Sequence, residues 1–191
     1  MEIKLTHSFL LTCHNLDGLL KDCHKLSTFC SRLVKQSTEF PNRYDPFKYR
    51  GDGFELFVEA LIKLSPVDNR IGISKYQNSQ VDTPGVDGFG TGSNGKPATV
   101  QCKFVGNSEK QLTAGNTSNL ANFVNQSLLM FEVDPKDQNN MLVVTTAAGL
   151  HHYTDATLFQ GKVRCLGYEE LRQLVDNNLV FWDLFRELVK K

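Results

Sequence analysis

The middle third of the chain carries three short pieces in order: GFELFVE at residues 53–59, DTPGVDG at 82–88 and VQCKF at 100–104. The first has the apolar spacing of a helix that also bears carboxylates, and the second is a glycine-rich turn that contains an aspartate. The third alternates between apolar and polar side chains, as a strand does. A helix, a turn and a strand in this order predict an α/β fold in which their polar groups meet.

Length and composition indicate an ordinary globular protein. The 191 residues are 40% hydrophobic and 22% charged, which is enough apolar material for one domain with its own core. The 21 lysines and arginines balance 21 aspartates and glutamates, so the net charge gives no overall preference for nucleic acid but allows a local basic groove. The five cysteines are odd in number and irregularly spaced, which favours reduced thiols. No apolar run approaches the roughly 20 residues of a membrane span, and the N-terminus lacks a signal-peptide pattern, so we expect a cytoplasmic protein without a membrane partner.

The N-terminal part of the chain predicts a helix that stands apart from the rest. Apolar residues recur at helical spacing over residues 15–37, with Asn15 as the N-cap. The following segment, residues 39–53, contains two prolines and two glycines and is typical of a connector. A second helix is expected over residues 54–64. The division predicted from these features is an N-terminal helical appendage at 1–45 and a main domain at 46–191.

The remaining segments alternate between strand and helix patterns. Strands are expected at residues 70–76, 86–89, 99–105, 141–146 and 163–166. Helices are expected from Asn116 or Thr117 to Met130, at 169–176 and at 180–189. The glycine-rich stretch at 90–95 predicts a hairpin between the second and third strands. This order predicts an α/β sandwich with a mixed sheet covered by helices.

One face of the third predicted strand is expected to carry the chemistry. Side chains alternate along a strand, so Gln101 and Lys103 point the same way while Cys102 points into the core. Antiparallel pairing across the hairpin can bring Asp87 opposite Gln101, and Glu55 can add a carboxylate from the helix. Carboxylate and amide oxygens, with the backbone carbonyl of Cys102, are ligands that Mg²⁺ prefers, and Lys103 can stabilise negative charge. This combination points to the hydrolysis of a phosphodiester.

These pieces resemble the motifs of the PD-(D/E)XK nuclease superfamily, and within it the Mrr-like restriction endonucleases. That family has a Gly-x-x-Phe-Glu helix, a Gly-Val-Asp turn and a Gln-x-Lys strand, and the matching pieces are GDGFE at 51–55, GVD at 85–87 and QCK at 101–103. The resemblance covers residues 50–176. Pro84 stands where the family often has glycine or aspartate, and the loop at 106–116 is unfamiliar, but no catalytic group is missing.

The resemblance implies a restriction-endonuclease-like αβββαβ core and a Mg²⁺-dependent DNA endonuclease, with Mn²⁺ expected to substitute. It implies a catalytic set of Glu55, Asp87, Gln101 and Lys103, and metal ligands from Asp87, Gln101, Glu55 and the carbonyl of Cys102. Because cleavage of duplex DNA needs two sites or two passes, a homodimer or a larger multidomain protein is expected. Candidate contacts to the DNA backbone, each of which is also compatible with an ordinary polar surface, are Lys110, Asn116, Thr117 and Gln126.

Other groups of residues leave alternatives open. The Cys-His pairs at 13–14 and 23–24 could form a zinc site, but a ten-residue offset on one helix puts them on different faces, so buried thiols are favoured. Glu59 lies one turn from Glu55 and is either a further ligand or a solvated helix carboxylate. His151 is either a general base or a residue of a loop or helix start. Trp182 is expected in the core or at a protein interface rather than in a platform for base stacking.

A nuclease-like fold can also exist without catalysis. The alternatives are a non-catalytic DNA-binding or assembly module, the nuclease domain of a larger restriction or helicase protein, and a junction resolvase. The presence of all four candidate catalytic groups favours an enzyme.

Overall fold

A mixed five-stranded sheet forms the centre of the described part of the fold. The structure is a computed structural model that describes residues 3–40, 43–65, 68–79, 85–113 and 120–190. Its helices are α1 Phe9–Thr12, α2 Leu16–Leu20, α3 Leu26–Ser37, α4 Pro46–Leu64, α5 Leu120–Met130, α6 Tyr168–Val175 and α7 Leu179–Leu188, with helical turns at Gln138–Asn140 and Thr154–Phe159. Its strands are β1 Ile73–Asn78, β2 Gly88–Gly92, β3 Pro97–Lys103, β4 Gln111–Leu112, β5 Met141–Thr145, β6 Gly149–Leu150 and β7 Arg164–Leu166. Within these ranges, no helix has the length and apolar character needed to cross a membrane.

The sheet has the strand order β1-β2-β3-β5-β7. The first three strands are antiparallel, whereas β3 and β5, and then β5 and β7, pair in parallel. All five residues of β5 are buried, as a central parallel strand requires. The prediction of an α/β fold with a mixed sheet and flanking helices is confirmed. The short parallel pair of β4 and β6 is an addition that the sequence did not indicate.

Apolar layers cover both faces of the sheet. On one face, α4 packs in the same cluster as Val100 and Cys102 of β3. On the other face, Phe123 of α5 packs with Val143 of β5. Trp182 of α7 is fully buried and its indole N–H donates to a backbone carbonyl of α6 over 2.7 Å, so its predicted place in the core is confirmed.

The helix α4 begins earlier than the sequence indicates. Placing residues 46–53 in a connector is wrong, because they form the first two turns of α4. Asp45 caps the helix by accepting hydrogen bonds from two backbone N–H groups, and a proline occupies the first turn, where no N–H is needed. Gly53 lies inside the helix because α3 crosses closely there. A Cβ atom at this position would lie 2.5 Å from a methyl carbon of Leu33.

The prediction of one continuous helix over residues 15–37 is also wrong. The chain forms α2 and α3 with a break at residues 21–25. Asn15 caps α2 as predicted, accepting a 2.7 Å hydrogen bond from a backbone N–H of the first turn. The start of α3 is capped from far along the chain, since the N–H of Leu26 donates to the carboxylate of Asp176 over 2.8 Å.

The N-terminal helices share their core with the rest of the described fold. Leu5 and Phe9 belong to the cluster that packs between α4 and the sheet. The ring of Phe29 lies 5.1 Å from that of Phe57 and 6.2 Å from that of Trp182, measured between centroids. The described residues of the segment 1–45, predicted as an appendage, therefore contribute apolar side chains to the layer that supports α4.

Candidate active site

The structure brings Asp87 to Gln101 across the first residues of the β2–β3 hairpin. Gly88 pairs with Val100, which places Asp87 opposite Gln101, and the Asp87 N–H donates to the Val100 carbonyl over 2.9 Å. One carboxylate oxygen of Asp87, Oδ2, accepts a 2.5 Å hydrogen bond from Nε2 of Gln101. The same oxygen accepts a 2.6 Å hydrogen bond from the backbone N–H of Cys102. Asp87 is thus fixed to the strand that carries the other candidate groups.

The amide of Gln101 has one end paired and one end without a partner. Its side chain is fully buried, and its oxygen Oε1 accepts no hydrogen bond from any residue that the structure describes. A buried amide oxygen without a donor costs free energy unless water or a cation satisfies it. Because Nε2 faces Asp87, the amide must turn for Oε1 and the Asp87 carboxylate to bind one cation together.

Asp87 holds its proton more tightly than an ordinary aspartate. Burial raises the pKa of Asp87 to about 7, and the negative charge of Glu55 adds to the shift. The N–H of Cys102, the charge of Lys103 and the amide of Gln101 act in the opposite direction without outweighing it. A pair of partly buried carboxylates that repel each other is an environment that a divalent cation would stabilise.

Glu55 approaches the site from α4 and is held by a residue that the sequence did not indicate. The carboxylate is half-buried, and its Oε2 lies 3.0 Å from Nε2 of His7. The backbone N–H of Phe9 donates to Nδ1 of His7 over 3.1 Å, so the ring proton lies on Nε2, which donates to Glu55. No local sequence pattern indicates this contact, because His7 and Glu55 lie 48 positions apart.

Glu59, one turn further along α4, is an anchor inside the fold. Its side chain is fully buried, and Oε1 accepts from the N–H and hydroxyl of Thr6, each over 2.9 Å, and from Lys63 over 2.6 Å. Oε2 accepts from the N–H of His7 over 3.0 Å. Burial raises the pKa of Glu59, but the hydrogen bonds, that of Lys63 first, outweigh it and leave the pKa below its ordinary value. Both oxygens are occupied, which argues against Glu59 as a metal ligand or a solvated carboxylate.

Lys103 ends β3 with a positive charge beside the carboxylates. Its side chain is half-buried, and in the described ranges its ammonium group makes no hydrogen bond, while its charge lowers the pKa of Asp87. Its backbone carbonyl accepts the hydroxyl of Thr145 over 2.8 Å and the N–H of Thr146 over 3.2 Å. The backbone at this position is therefore fixed, and the ammonium group is available to a ligand.

Tyr76 of β1 is a second residue of this region that the sequence did not indicate. Its hydroxyl is buried and has no hydrogen-bond partner among the described residues. Burial raises its pKa well above the ordinary value, and the charges of Cys102, Asp87 and Glu55 contribute. Gly88 permits this placement, since a Cβ atom there would overlap the hydroxyl oxygen of Tyr76.

The donor set at this end of β3 fits Mg²⁺. The candidate set consists of the carboxylates of Asp87 and Glu55, whose charges interact, and the Gln101 amide with its unpartnered oxygen. With the Cys102 carbonyl, which accepts from the same amide, all of these offer hard oxygen ligands. Among the described residues, no three His, Cys, Asp or Glu side chains converge as a metal site. The candidate site has two such side chains, and its remaining donors are an amide and a carbonyl.

Comparison with protein-family models, curated proteins and solved structures gave no significant match.

The candidate DNA contacts do not join this site in the described structure. Lys110 is exposed on the loop after β3, and its carbonyl accepts the N–H of Ala148 over 2.8 Å. Gln126 is half-buried on α5, and neither side chain hydrogen bonds to the Asp87 site. Asn116 and Thr117, and with them the predicted start of the helix, lie outside the described residues.

Cys13 and His14 both contact the hydroxyl of Tyr49, whereas Cys23 has different neighbours. The thiol of Cys13 lies 3.2 Å from the hydroxyl of Tyr49, whereas the thiol of the buried Cys23 lies 3.6 Å from a backbone carbonyl. His14 pairs with Glu39 over 2.9 Å. His151 accepts the N–H of the residue two positions later, as a residue at the start of a helical turn does. These contacts favour structural roles over a zinc site or a general base.

A cleft of about 380 Å³ opens where the chain leaves β3. It is lined by residues 104–106, by hydroxyl-bearing residues of α3 and by Tyr168. The first of these, Phe104, directly follows Lys103. The cleft therefore has a mixed lining, since Val34, Phe104 and Val105 lie among its hydroxyl-bearing residues.

Proposed function

We propose that this protein is a Mg²⁺-dependent DNA endonuclease built on the restriction-endonuclease-like αβββαβ core. The observation that carries the proposal is the contact of the Asp87 carboxylate with the Gln101 amide, on a strand that ends in Lys103. The order of helices and strands, with a meander of three strands followed by a parallel strand, supports it. The high pKa of Asp87 supports it as well, because such a value is typical of functional sites.

Each residue of the site has a separate task in this proposal. Asp87, Glu55, Gln101 and the carbonyl of Cys102 would hold the cation, which when bound supplies positive charge to the scissile phosphate. Mn²⁺ would substitute, because it accepts the same oxygen ligands. The ammonium group of Lys103 stabilises the negative charge that develops on the phosphoryl oxygens as water attacks phosphorus and the ester P–O bond breaks.

The oligomeric state, the location and the DNA contacts of the protein follow from the same proposal. Duplex cleavage needs two active sites or two passes of one site, so we propose that the chain acts as a homodimer or as part of a larger multidomain protein. A cytoplasmic location fits the five cysteines, all of which are unpaired. Lys110 and Gln126 remain candidates for the DNA backbone, with Asn116 and Thr117.

A plasmid-nicking assay tests the proposal. Supercoiled DNA is incubated with the wild type, Asp87→Ala and Asp183→Ala in Mg²⁺, Mn²⁺, Ca²⁺ or EDTA. Asp183 is the matched control, because its carboxylate is exposed on α7 and pairs only with Arg186 in the described structure. We expect nicking by the wild type and Asp183→Ala in Mg²⁺ or Mn²⁺, and none by Asp87→Ala.

Two results would overturn parts of the proposal. Full activity in Asp87→Ala would remove the site assignment. A wild type that binds DNA but cleaves no duplex, junction or single strand in Mg²⁺ or Mn²⁺ would be a non-catalytic binding module.

A further inference from the structure

We propose that His7 is a positioning residue: its imidazole holds the Glu55 carboxylate in the orientation in which it binds the cation. This inference rests on the proposed function for its activity readout, and the contact itself is independent of that function. The residues before α1 lie outside the stretch that resembles the nuclease family, so they add a group that the motifs do not contain.

The protonation of His7 follows from its two hydrogen bonds. Nδ1 accepts the N–H of Phe9 over 3.1 Å, so it carries no proton, and Nε2 lies 3.0 Å from Oε2 of Glu55. The neutral ring with its proton on Nε2 satisfies both bonds, whereas a ring protonated at Nδ1 would set two donors against each other. His7 is 8% exposed, which keeps water from competing for the bond.

The backbone that carries the ring is itself fixed to α4. The N–H groups of Thr6 and His7 donate to the two oxygens of Glu59, and Lys63 pairs with the same carboxylate. The carbonyl of Lys4 accepts a 2.7 Å hydrogen bond from Lys63. One short segment thus binds two carboxylates one turn apart on α4, so the ring cannot shift without breaking buried contacts.

The bond to His7 leaves one oxygen of Glu55 available. Oε2 is occupied, whereas Oε1 accepts no hydrogen bond within the described structure. A carboxylate that is hydrogen bonded through one oxygen loses rotational freedom, so its second oxygen points in a fixed direction. Metal ligands are commonly oriented in this way by hydrogen bonds from neighbouring residues. His7 therefore acts through Glu55 and touches neither cation nor substrate.

Two substitutions remove the two hydrogen bonds of the His7 ring one at a time. In His7→Asn, the amide oxygen stands near the position of Nδ1 and keeps the acceptor for Phe9, but no donor reaches Glu55. In His7→Gln, the longer side chain brings an amide N–H near the position of Nε2 and keeps the donor to Glu55, but Phe9 loses its acceptor. The control is His14→Asn, because His14 also pairs with a glutamate, Glu39, over 2.9 Å.

The expected result is a split between the two variants. Calcium titration calorimetry should show His7→Asn binding Ca²⁺ about 10–100-fold more weakly than the wild type, with a similar loss of nicking in Mg²⁺. His7→Gln should retain most of the affinity and activity although it melts at a lower temperature. His14→Asn should match the wild type in both. Nitrogen-15 shifts of the wild-type ring should report a proton on Nε2.

Failure of the inference and failure of the proposed function give different results. The positioning role is wrong if the wild type nicks DNA and His7→Asn binds Ca²⁺ and nicks equally well. It is also wrong if His7→Asn and His7→Gln both lose activity in proportion to their loss of thermal stability. A ring proton on Nδ1 would also overturn it. If the wild type cleaves nothing, the endonuclease proposal falls, while a weaker Ca²⁺ affinity of His7→Asn would still support the positioning role.

Discussion

The side-chain amide of Gln101 donates a 2.5 Å hydrogen bond to the carboxylate of Asp87. The amide therefore presents its N–H end to the group with which its oxygen would share a cation. The buried Oε1 has no partner among the described residues. Turning the amide breaks the hydrogen bonds that Nε2 donates to Asp87 and to the Cys102 carbonyl, and a bound cation would then satisfy Oε1. Cation binding and the orientation of this amide are coupled.

Gln101→Glu should make the stability of the fold depend on bound metal. Without a cation and above pH 7, where Asp87 is ionised, the new carboxylate faces a second negative charge and has no hydrogen to donate. We expect a loss of about 1–3 kcal/mol in the free energy of unfolding under these conditions. With Mg²⁺ the added charge should tighten binding and recover the loss. Thermal melts in EDTA and in Mg²⁺, with calorimetric titration of Mg²⁺, measure both effects. Gln77→Glu, at an exposed position of β1, is the control and should change neither. Much weaker Mg²⁺ binding by Gln101→Glu would show that the amide is not a ligand.

Asp87→Asn should stabilise the metal-free protein more at high pH than at low pH. The pKa of Asp87 lies near 7, above the ordinary 3.8, so the folded state holds a proton that the unfolded state releases, and stability falls as pH rises through this window. Asparagine removes that loss, so its advantage at pH 8 should exceed its advantage at pH 5 by about 2–3 kcal/mol. Urea unfolding in EDTA at the two pH values measures this, with the exposed Asp183→Asn as control. If Asp87→Asn stabilised the protein equally at pH 5 and pH 8, the raised pKa of Asp87 would be contradicted.

Mg²⁺ affinity should rise with pH up to about 7 and then level off. A cation must displace the proton that Asp87 holds below its pKa of about 7, so affinity should increase about tenfold per pH unit between 5.5 and 6.5. Titrations from pH 5.5 to 8.5, and nicking at limiting Mg²⁺, should show this dependence. Excess Mg²⁺ should restore activity at low pH. An affinity independent of pH would mean that Asp87 does not bind the cation.

Lys103→Ala should separate DNA binding from cleavage. The ammonium group has no hydrogen-bond partner among the described residues, and a contact made to developing charge contributes mainly in the transition state. We expect a loss of about 10²–10³ in the nicking rate at saturating Mg²⁺ with nearly unchanged DNA binding in Ca²⁺ gel shifts. Lys136→Ala, on an exposed loop, is the control. Loss of binding instead would make Lys103 a phosphate anchor.

Glu59→Ala should destabilise the fold, because the change leaves the N–H groups of Thr6 and His7 without their acceptor and Lys63 without its counter-charge. Removing one partner of a buried charged network costs about 3–5 kcal/mol. Urea unfolding measures the loss, and Glu187→Ala on the exposed face of α7 should cost far less. A loss below about 1 kcal/mol would return Glu59 to the candidates for a metal ligand.

The parts of the fold and site that the sequence predicted depend on local patterns. The continuous apolar run of β5 is typical of a buried strand. The alternation of β3 identifies a strand because its side chains repeat every two residues. The same repeat, with the hairpin, places Asp87 opposite Gln101, where the structure has it. Asn15 at the start of α2 follows from the local chemistry of N-caps.

The parts that the sequence missed depend on residues far along the chain. The break before α3 has no local stop signal, and its N-terminus is capped by Asp176, 150 positions away. Gly53 looks like a connector glycine, but it is required where Leu33 crosses α4. His7 and Tyr76 reach the site through tertiary packing, so no motif spacing could indicate them.

The contacts of Thr6 and His7 with α4 also set an order of events during synthesis. Thr6 meets Glu59 across 53 residues, and His7 meets Glu55 across 48. On the ribosome, residues 6 and 7 emerge before their acceptors have been translated, so they stay in water until α4 has formed. Docking of this segment is then a late, long-range step, and the Glu55 carboxylate acquires its fixed direction only when that step is complete.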